Sequence, residues 1–253
     1  MILNSFNLNG KVAIVTGAGS GLGQGIALAL AEAGADIVGV YGSKISDTEE
    51  KVKALGRKFL GIQANLMSIE PVENIIKKTV ETFGKVDILV NNAGIIKRAD
   101  TLDFTEKDWD DVMDINLKTV FFLCQAAARE FIRQGTGGKI INIASMLSFQ
   151  GGVRVPSYTA SKSGLAGITK LMANEWAGHN INVNAIAPGY MATDNTAELR
   201  SDEDRQSEIL SRIPAGRWGT AQDLMGASVF LASSAADYIN GHILAVDGGW
   251  LAR

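Results

Sequence analysis

Cysteine is nearly absent from this 253-residue chain. Cys124 stands alone, so no intrachain disulfide can form, and the composition fits a reducing compartment. Histidine is almost as scarce. His179 and His242 cannot assemble a multi-histidine site, and no metal is expected. Neither charge sign dominates: 24 basic and 27 acidic residues give a formal net charge of −3, without the basic excess usual for nucleic-acid binders. No apolar run approaches the about 18 residues needed to cross a bilayer. Met1 to Gly10 has neither a basic stretch nor an apolar core, so no signal peptide is read there. A cytoplasmic protein with no membrane or nucleic-acid partner is expected. Proline is rare, at 4 residues against 28 glycines, which suits many tight turns and few breaks. Hydrophobic residues at 46% and charged residues at 20% are ordinary for a globular chain and exclude wholesale disorder.

What is present alternates. Short β-branched runs at 11–16, 36–40, 58–64, 86–90, 139–143, 181–187 and 243–246 read as strands. Between them, 21–33, 47–55, 69–83, 109–133, 157–178 and 221–233 read as helices, with Pro71 in a first turn and a break near Asn116. The run Val86 to Val90 is apolar throughout, as in a strand buried on both faces. Strands separated by helices, with right-handed crossovers, predict a single-domain α/β fold of Rossmann type: a doubly wound seven-stranded parallel sheet with helices on both faces. No linker divides residues 1–253. Residues 188–217 are polar and irregular, and a stretch of that length reads as a substrate lid with short helices of its own. Ligands of such sheets bind beyond the carboxyl ends of the strands.

The first strand runs into Thr16-Gly17-Ala18-Gly19-Ser20-Gly21-Leu22-Gly23. Glycines let the backbone approach a pyrophosphate, and the following helix offers unpaired N–H groups and a positive dipole end. The spacing is T-G-x-x-x-G-x-G, with no strict G-x-G-x-x-G in any register. An acid that would hold a ribose is missing: Asp36 opens the second strand, on the wrong edge, and the far end reads Val40-Tyr41-Gly42-Ser43-Lys44. Residue 20 is not basic, so NAD and NADP stay open on chemistry alone.

Tyr158 and Lys162 are four apart on a helix and share a face. A free phenol has a pKa near ~10. An ammonium about 5 Å away, at an effective dielectric of ~20, offers roughly 3 kcal/mol, or about two pKa units. Such a phenol suits general acid–base catalysis. Ser145, just past the fifth strand, can hydrogen-bond a substrate oxygen, and Asn116 can hold a water that joins Lys162 to solvent.

In order along the chain come T-G-x-x-x-G-x-G at 16–23, Asn91-Asn92-Ala93-Gly94, Asn116, Ser145, Tyr158-x-x-x-Lys162 and Pro188-Gly189. Together they resemble the short-chain dehydrogenase/reductase family over essentially the whole chain. The stretches 139–162 and 171–193 and the C-terminal VDGGWLAR look closest to its sugar-acid dehydrogenases. The resemblance implies Asn116, Ser145, Tyr158 and Lys162 as the catalytic set. It implies Gly17, Ser20, Gly21, Leu22, Gly23, Asn65, Asn92, Lys162 and Thr193 as cofactor contacts, with Thr193 at the carboxamide. Asn65 stands where the family often has Asp near the adenine. NAD is the expected cofactor, with NADP not excluded.

A sugar acid brings a carboxylate that needs a cation. Arg154 and Arg98 are candidates, each with the alternative of a rim ion pair, and Gln150, Met146 and Tyr190 are weaker wall candidates. The activity expected is NAD-dependent interconversion of a secondary alcohol and a ketone on a sugar acid. The rivals are the same chemistry on an acyl thioester or steroid ketone, and a non-catalytic dinucleotide sensor. Small residues on the helices after Asn116 and around Tyr158, with the family's habit, imply a homotetramer, and Trp250 is a candidate anchor in a neighbouring copy.

Overall fold

The computed structural model describes residues 1–252. Strand β1 (Val12–Thr16) leads into α1 (Gly21–Glu32), then β2 (Asp36–Tyr41), α2 (Ser46–Ala54), β3 (Phe59–Gln63), α3 (Val72–Phe83) and β4 (Ile88–Asn91). The second half runs α4 (Glu106–Met113), a π-turn over Asp114–Lys118, α5 (Thr119–Gln134), β5 (Gly138–Ile143), α6 (Pro156–Trp176) and β6 (Ile181–Pro188). It ends with α7 (Ala197–Ser201), α8 (Glu203–Arg212), α9 (Ala221–Ala232) and β7 (Ile243–Val246). The sheet is seven-stranded, in the order β3-β2-β1-β4-β5-β6-β7, and every pairing is parallel.

Period two along β1 shows why the strand is apolar throughout. Val12 and Ile14 pack under α3, α5 and α6, while Ala13 and Val15 pack under α1 and α9. The order reverses between β1 and β4, and the crevice opens beyond their carboxyl ends.

Some boundaries differ from the sequence reading. Helix α3 starts after Pro71 rather than at Ile69, because Asn65 Oδ1 accepts from Met67 N–H and Ser68 Oγ from Glu70 N–H, which closes local turns instead of a helical one. Helix α4 starts three residues before Trp109, because Thr105 Oγ1 caps Asp108 N–H at 3.1 Å. The break at Asn116 is the π-turn. The irregular stretch after β6 does contain short helices, α7 and α8. Trp250 is 4% exposed within its own chain, beside Met146, Ile209 and Ile213, so it is no anchor for a neighbour.

Candidate active site

The glycine loop leaves β1 through Gly17 and enters α1 at Gly21, with φ of 66° and 55°, a region that only glycine occupies freely. A Cβ on Gly23 would strike the carbonyl oxygen of Gly17 and the amide of Asn92, so the loop closes only on glycine there. Thr16 braces it from below: its Oγ1 accepts from the N–H groups of Asn92 and Ala93, each at 3.0 Å, and Asn92 Nδ2 donates to Thr16 O at 3.0 Å. The motif contained Thr16, but nothing in the spacing announced this cross-strand role.

A crevice of about 340 Å³ runs from this loop to the carboxyl ends of β5 and β6. Gly17, Ser20, Gly21, Leu22, Gly23 and Asn92 line one end; Ser145, Tyr158 and Lys162 line the other, with Thr193 and Arg98 on the rim. A second cavity of about 500 Å³ shares Gly17 and Ala93 with it and reaches Tyr41, Gly42 and Asn65. The two cavities adjoin at Gly17 and Ala93 and together make a trough that fits an extended dinucleotide. Asn65 lies in that trough with its Oδ1 already accepting from Met67 N–H at 3.0 Å. Among the described residues that line the β2 end, none is a carboxylate that would repel a 2′-phosphate.

Ser145 is held extended after β5, with its Oγ capping Leu147 N–H at 3.2 Å and hydrogen-bonded to the Tyr158 hydroxyl. Ser148 Oγ donates to Lys162 O and Ser163 Oγ to Leu147 O, which staples the turn carrying Ser145 to α6; neither serine was legible as a support in the sequence. Lys162 Nζ lies 5.5 Å from the centre of the Tyr158 ring and donates to Ile143 O at 2.6 Å.

The electrostatics differ from the sequence expectation. Burial pushes the Tyr158 phenol up, and the hydrogen bond from Ser145 and the charge of Arg98 only partly offset it. Burial also pulls Lys162 down, to about 8. Desolvation thus dominates at the phenol, and the cation whose charge acts on it across space is Arg98, not Lys162.

Asn116 is fully buried in the π-turn. Its Oδ1 accepts from Ile95 N–H and its Nδ2 donates to Ile95 O, both at 2.9 Å, with Ser161 Oγ at 3.3 Å. Its amide thus faces Ile95 and lies beside Gly94, both of which line the crevice, and is not itself part of the lining.

Two expected substrate contacts lie elsewhere. Arg154 is outside the crevice lining, with its Nε 3.0 Å from Asp100 Oδ1. Gln150 is also outside, and its Oε1 accepts from Trp250 Nε1 at 3.2 Å. Of the two expected arginines, Arg98 is the one among the residues that line the crevice. The Arg154 pair is exposed, and such pairs contribute about 0–1 kcal/mol. Arg154 also has a φ of 63°. That conformation costs an L-residue roughly 1–2 kcal/mol, so the pair does not stabilise the fold on balance.

The chain matches a family model described as Enoyl-(Acyl carrier protein) reductase over residues 17–251. It is 67% identical over 253 residues, covering all of both chains, to 2-dehydro-3-deoxy-D-gluconate 5-dehydrogenase of Dickeya dadantii. It is 40% identical over 246 residues, 96% of each chain, to gluconate 5-dehydrogenase of Gluconobacter oxydans. A putative 2-deoxy-D-gluconate 3-dehydrogenase of Agrobacterium tumefaciens, solved with bound NADP, superimposes with a TM-score of 0.94 at 53% identity, covering 99% of this chain and all of that one. With the glycine trough and the Ser145, Tyr158 and Lys162 cluster in one crevice, these likenesses place the chain in the short-chain dehydrogenase/reductase family, as an NAD(P)-dependent oxidoreductase.

Proposed function

We propose that this enzyme interconverts a secondary alcohol and a ketone on a sugar acid, acting as a 2-dehydro-3-deoxy-D-gluconate 5-dehydrogenase. The supporting observation is that an arginine, Arg98, shares the crevice with Ser145, Tyr158 and Lys162. An acyl-thioester or steroid ketone would have no carboxylate to offer it. The full-length likeness to the Dickeya dadantii enzyme points the same way.

When bound, the nicotinamide cofactor supplies or accepts the hydride. The chain's own residues handle the rest. Ser145 donates a hydrogen bond to the carbonyl oxygen and orients it beside Tyr158. In reduction Tyr158 Oη gives its proton to the developing alkoxide; in oxidation the phenolate removes the hydroxyl proton. Arg98 favours that phenolate by its charge and receives the carboxylate. Lys162 also holds the cofactor ribose. Asn116 serves the proton relay by fixing Ile95. Gly17, Ser20, Gly21, Leu22, Gly23 and Asn92 cradle the pyrophosphate, Asn65 meets the adenine and Thr193 the carboxamide. NAD is the proposed cofactor, and the open end of β2 also admits NADP.

Residues 188–217 form the lid, whose base already contributes Met191, Thr193, Asp194 and Thr196 to the crevice. The enzyme works as a homotetramer in the cytoplasm, a placement in keeping with its free buried thiol at Cys124. The test is NADH formation from NAD and 2-dehydro-3-deoxy-D-gluconate, run beside an acyl-thioester alcohol and a neutral polyol. Turnover of the sugar acid is expected. Turnover of the thioester alone would reassign the substrate, and NADH binding without turnover of any of the three would favour a sensor.

A further inference from the structure

Arg154 stands away from the crevice, yet the chain holds it in a conformation that arginine rarely adopts. Among the described residues other than glycine, only Arg154 and Asn180 have positive φ, at 63° and 58°. Asparagine visits that region readily, whereas arginine meets a Cβ clash there. Two contacts secure it. Its main-chain oxygen accepts from Ala99 N–H at 3.1 Å, and its Nε lies 3.0 Å from Asp100 Oδ1.

Both partners follow directly on Arg98. The stretch from Ile95 to Asp100 has no helix or strand to fix it. Asn116 anchors its near end at Ile95, and Lys97 pairs with Asp108 at 3.3 Å. Its far end is tied by Arg154. On the other side Arg154 is followed by Val155, whose oxygen accepts from Thr159 N–H at 3.0 Å as α6 begins, and Tyr158 lies in that first turn. One residue therefore joins the loop that carries the crevice's arginine to the helix that carries its tyrosine.

We propose that Arg154 is a positioning residue: the clasp of Arg154 on Ala99 and Asp100 sets the separation of Arg98 from Tyr158, and through it the affinity for acid substrates. The last step rests on the reading of Arg98 as the carboxylate's partner.

The test exchanges the charges in the full-length enzyme. Asp100→Arg and Arg154→Asp, made singly, are expected to raise KM for 2-dehydro-3-deoxy-D-gluconate by roughly five- to tenfold, with kcat within about threefold and the NADH dissociation constant within about twofold. The two together restore the ion pair in reverse and bring KM back to within about twofold of the parent. Hydrogen exchange at the Ala99 amide is read in the same proteins, and its protection is expected to fall about tenfold in each single variant and return in the double. A double variant no better than the worse single would overturn the clasp and leave Arg154 as a direct carboxylate ligand. Single variants with unchanged KM and unchanged Ala99 protection would overturn it outright. Arg98→Ala, measured in parallel, separates the two readings. If it leaves KM unmoved, the carboxylate assignment fails, while loss and rescue of Ala99 protection still decide whether the clasp exists.

Discussion

Tyr158 carries the chemistry only if its hydroxyl can exchange a proton, and that hydroxyl is hydrogen-bonded to Ser145. Tyr158→Phe removes one oxygen and leaves the ring packed. Turnover is expected to vanish, with NADH affinity within a few fold of the parent by fluorescence titration; retained turnover would refute the acid–base role. Lys162 makes a prediction about stability. It is 5% exposed, and burial lowers its pKa from 10.5 to about 8. Between those values the unfolded chain binds a proton that the folded chain has released, so stability rises as pH rises through this window. Below it the fold carries a penalty of about 3 kcal/mol. Lys162→Met removes the penalty at neutral pH, along with the hydrogen bond to Ile143 O. Whatever its absolute stability, its margin over the parent should shrink by roughly 2–3 kcal/mol between pH 7 and pH 10. Urea titrations at the two pH values measure this, and parallel behaviour would mean that Lys162 is not desolvated.

At the scale of elements, the strands were legible because both sheet faces are buried and β-branched runs mark them. The glycine loop was legible because its geometry excludes other residues. Gly23→Ala puts a methyl against main-chain atoms of Gly17, which cannot yield as a flexible side chain would. Cofactor affinity is expected to fall by more than about tenfold, with a loss of roughly 1–3 kcal/mol in stability; unchanged NADH binding would show that the loop does not need its closed form. Other features were hidden because particular side-chain contacts decide them, local ones at α3 and distant ones at the π-turn. The start of α3 depends on side-chain turns at Asn65 and Ser68, and the π-turn on what Asn116 meets in Ile95. Arg154 carries no sequence signal for a left-handed conformation, and its partners lie more than fifty residues away. Tyr158 and Lys162 were found by spacing, but their pKa shifts follow from burial, which spacing does not report.

For the whole molecule the question is how many copies assemble. Trp250 is occupied inside its own chain, with Tyr190 at 4.9 Å and the Arg212 guanidinium stacked at 4.0 Å. That leaves the helices flanking the π-turn and α6 as the proposed contact. The outward side of α6 carries Ser163, Gly167 and Leu171, and Leu171 is 47% exposed. Gly167 is informative because nothing lies within 4 Å of where its Cβ would stand. An arginine there costs the isolated protomer nothing in packing, and it improves mid-helix propensity by roughly 0.8 kcal/mol. Between symmetric copies of α6 the same side chain would have to displace its counterpart, and like charges would face each other. The parent enzyme is therefore expected to have a solution mass near four times 26.9 kDa by light scattering, and Gly167→Arg a lower one, with unchanged circular dichroism and a chain that still binds NADH. A parent that runs as a single copy, or a Gly167→Arg variant with the parent's mass, would move the interface away from α6.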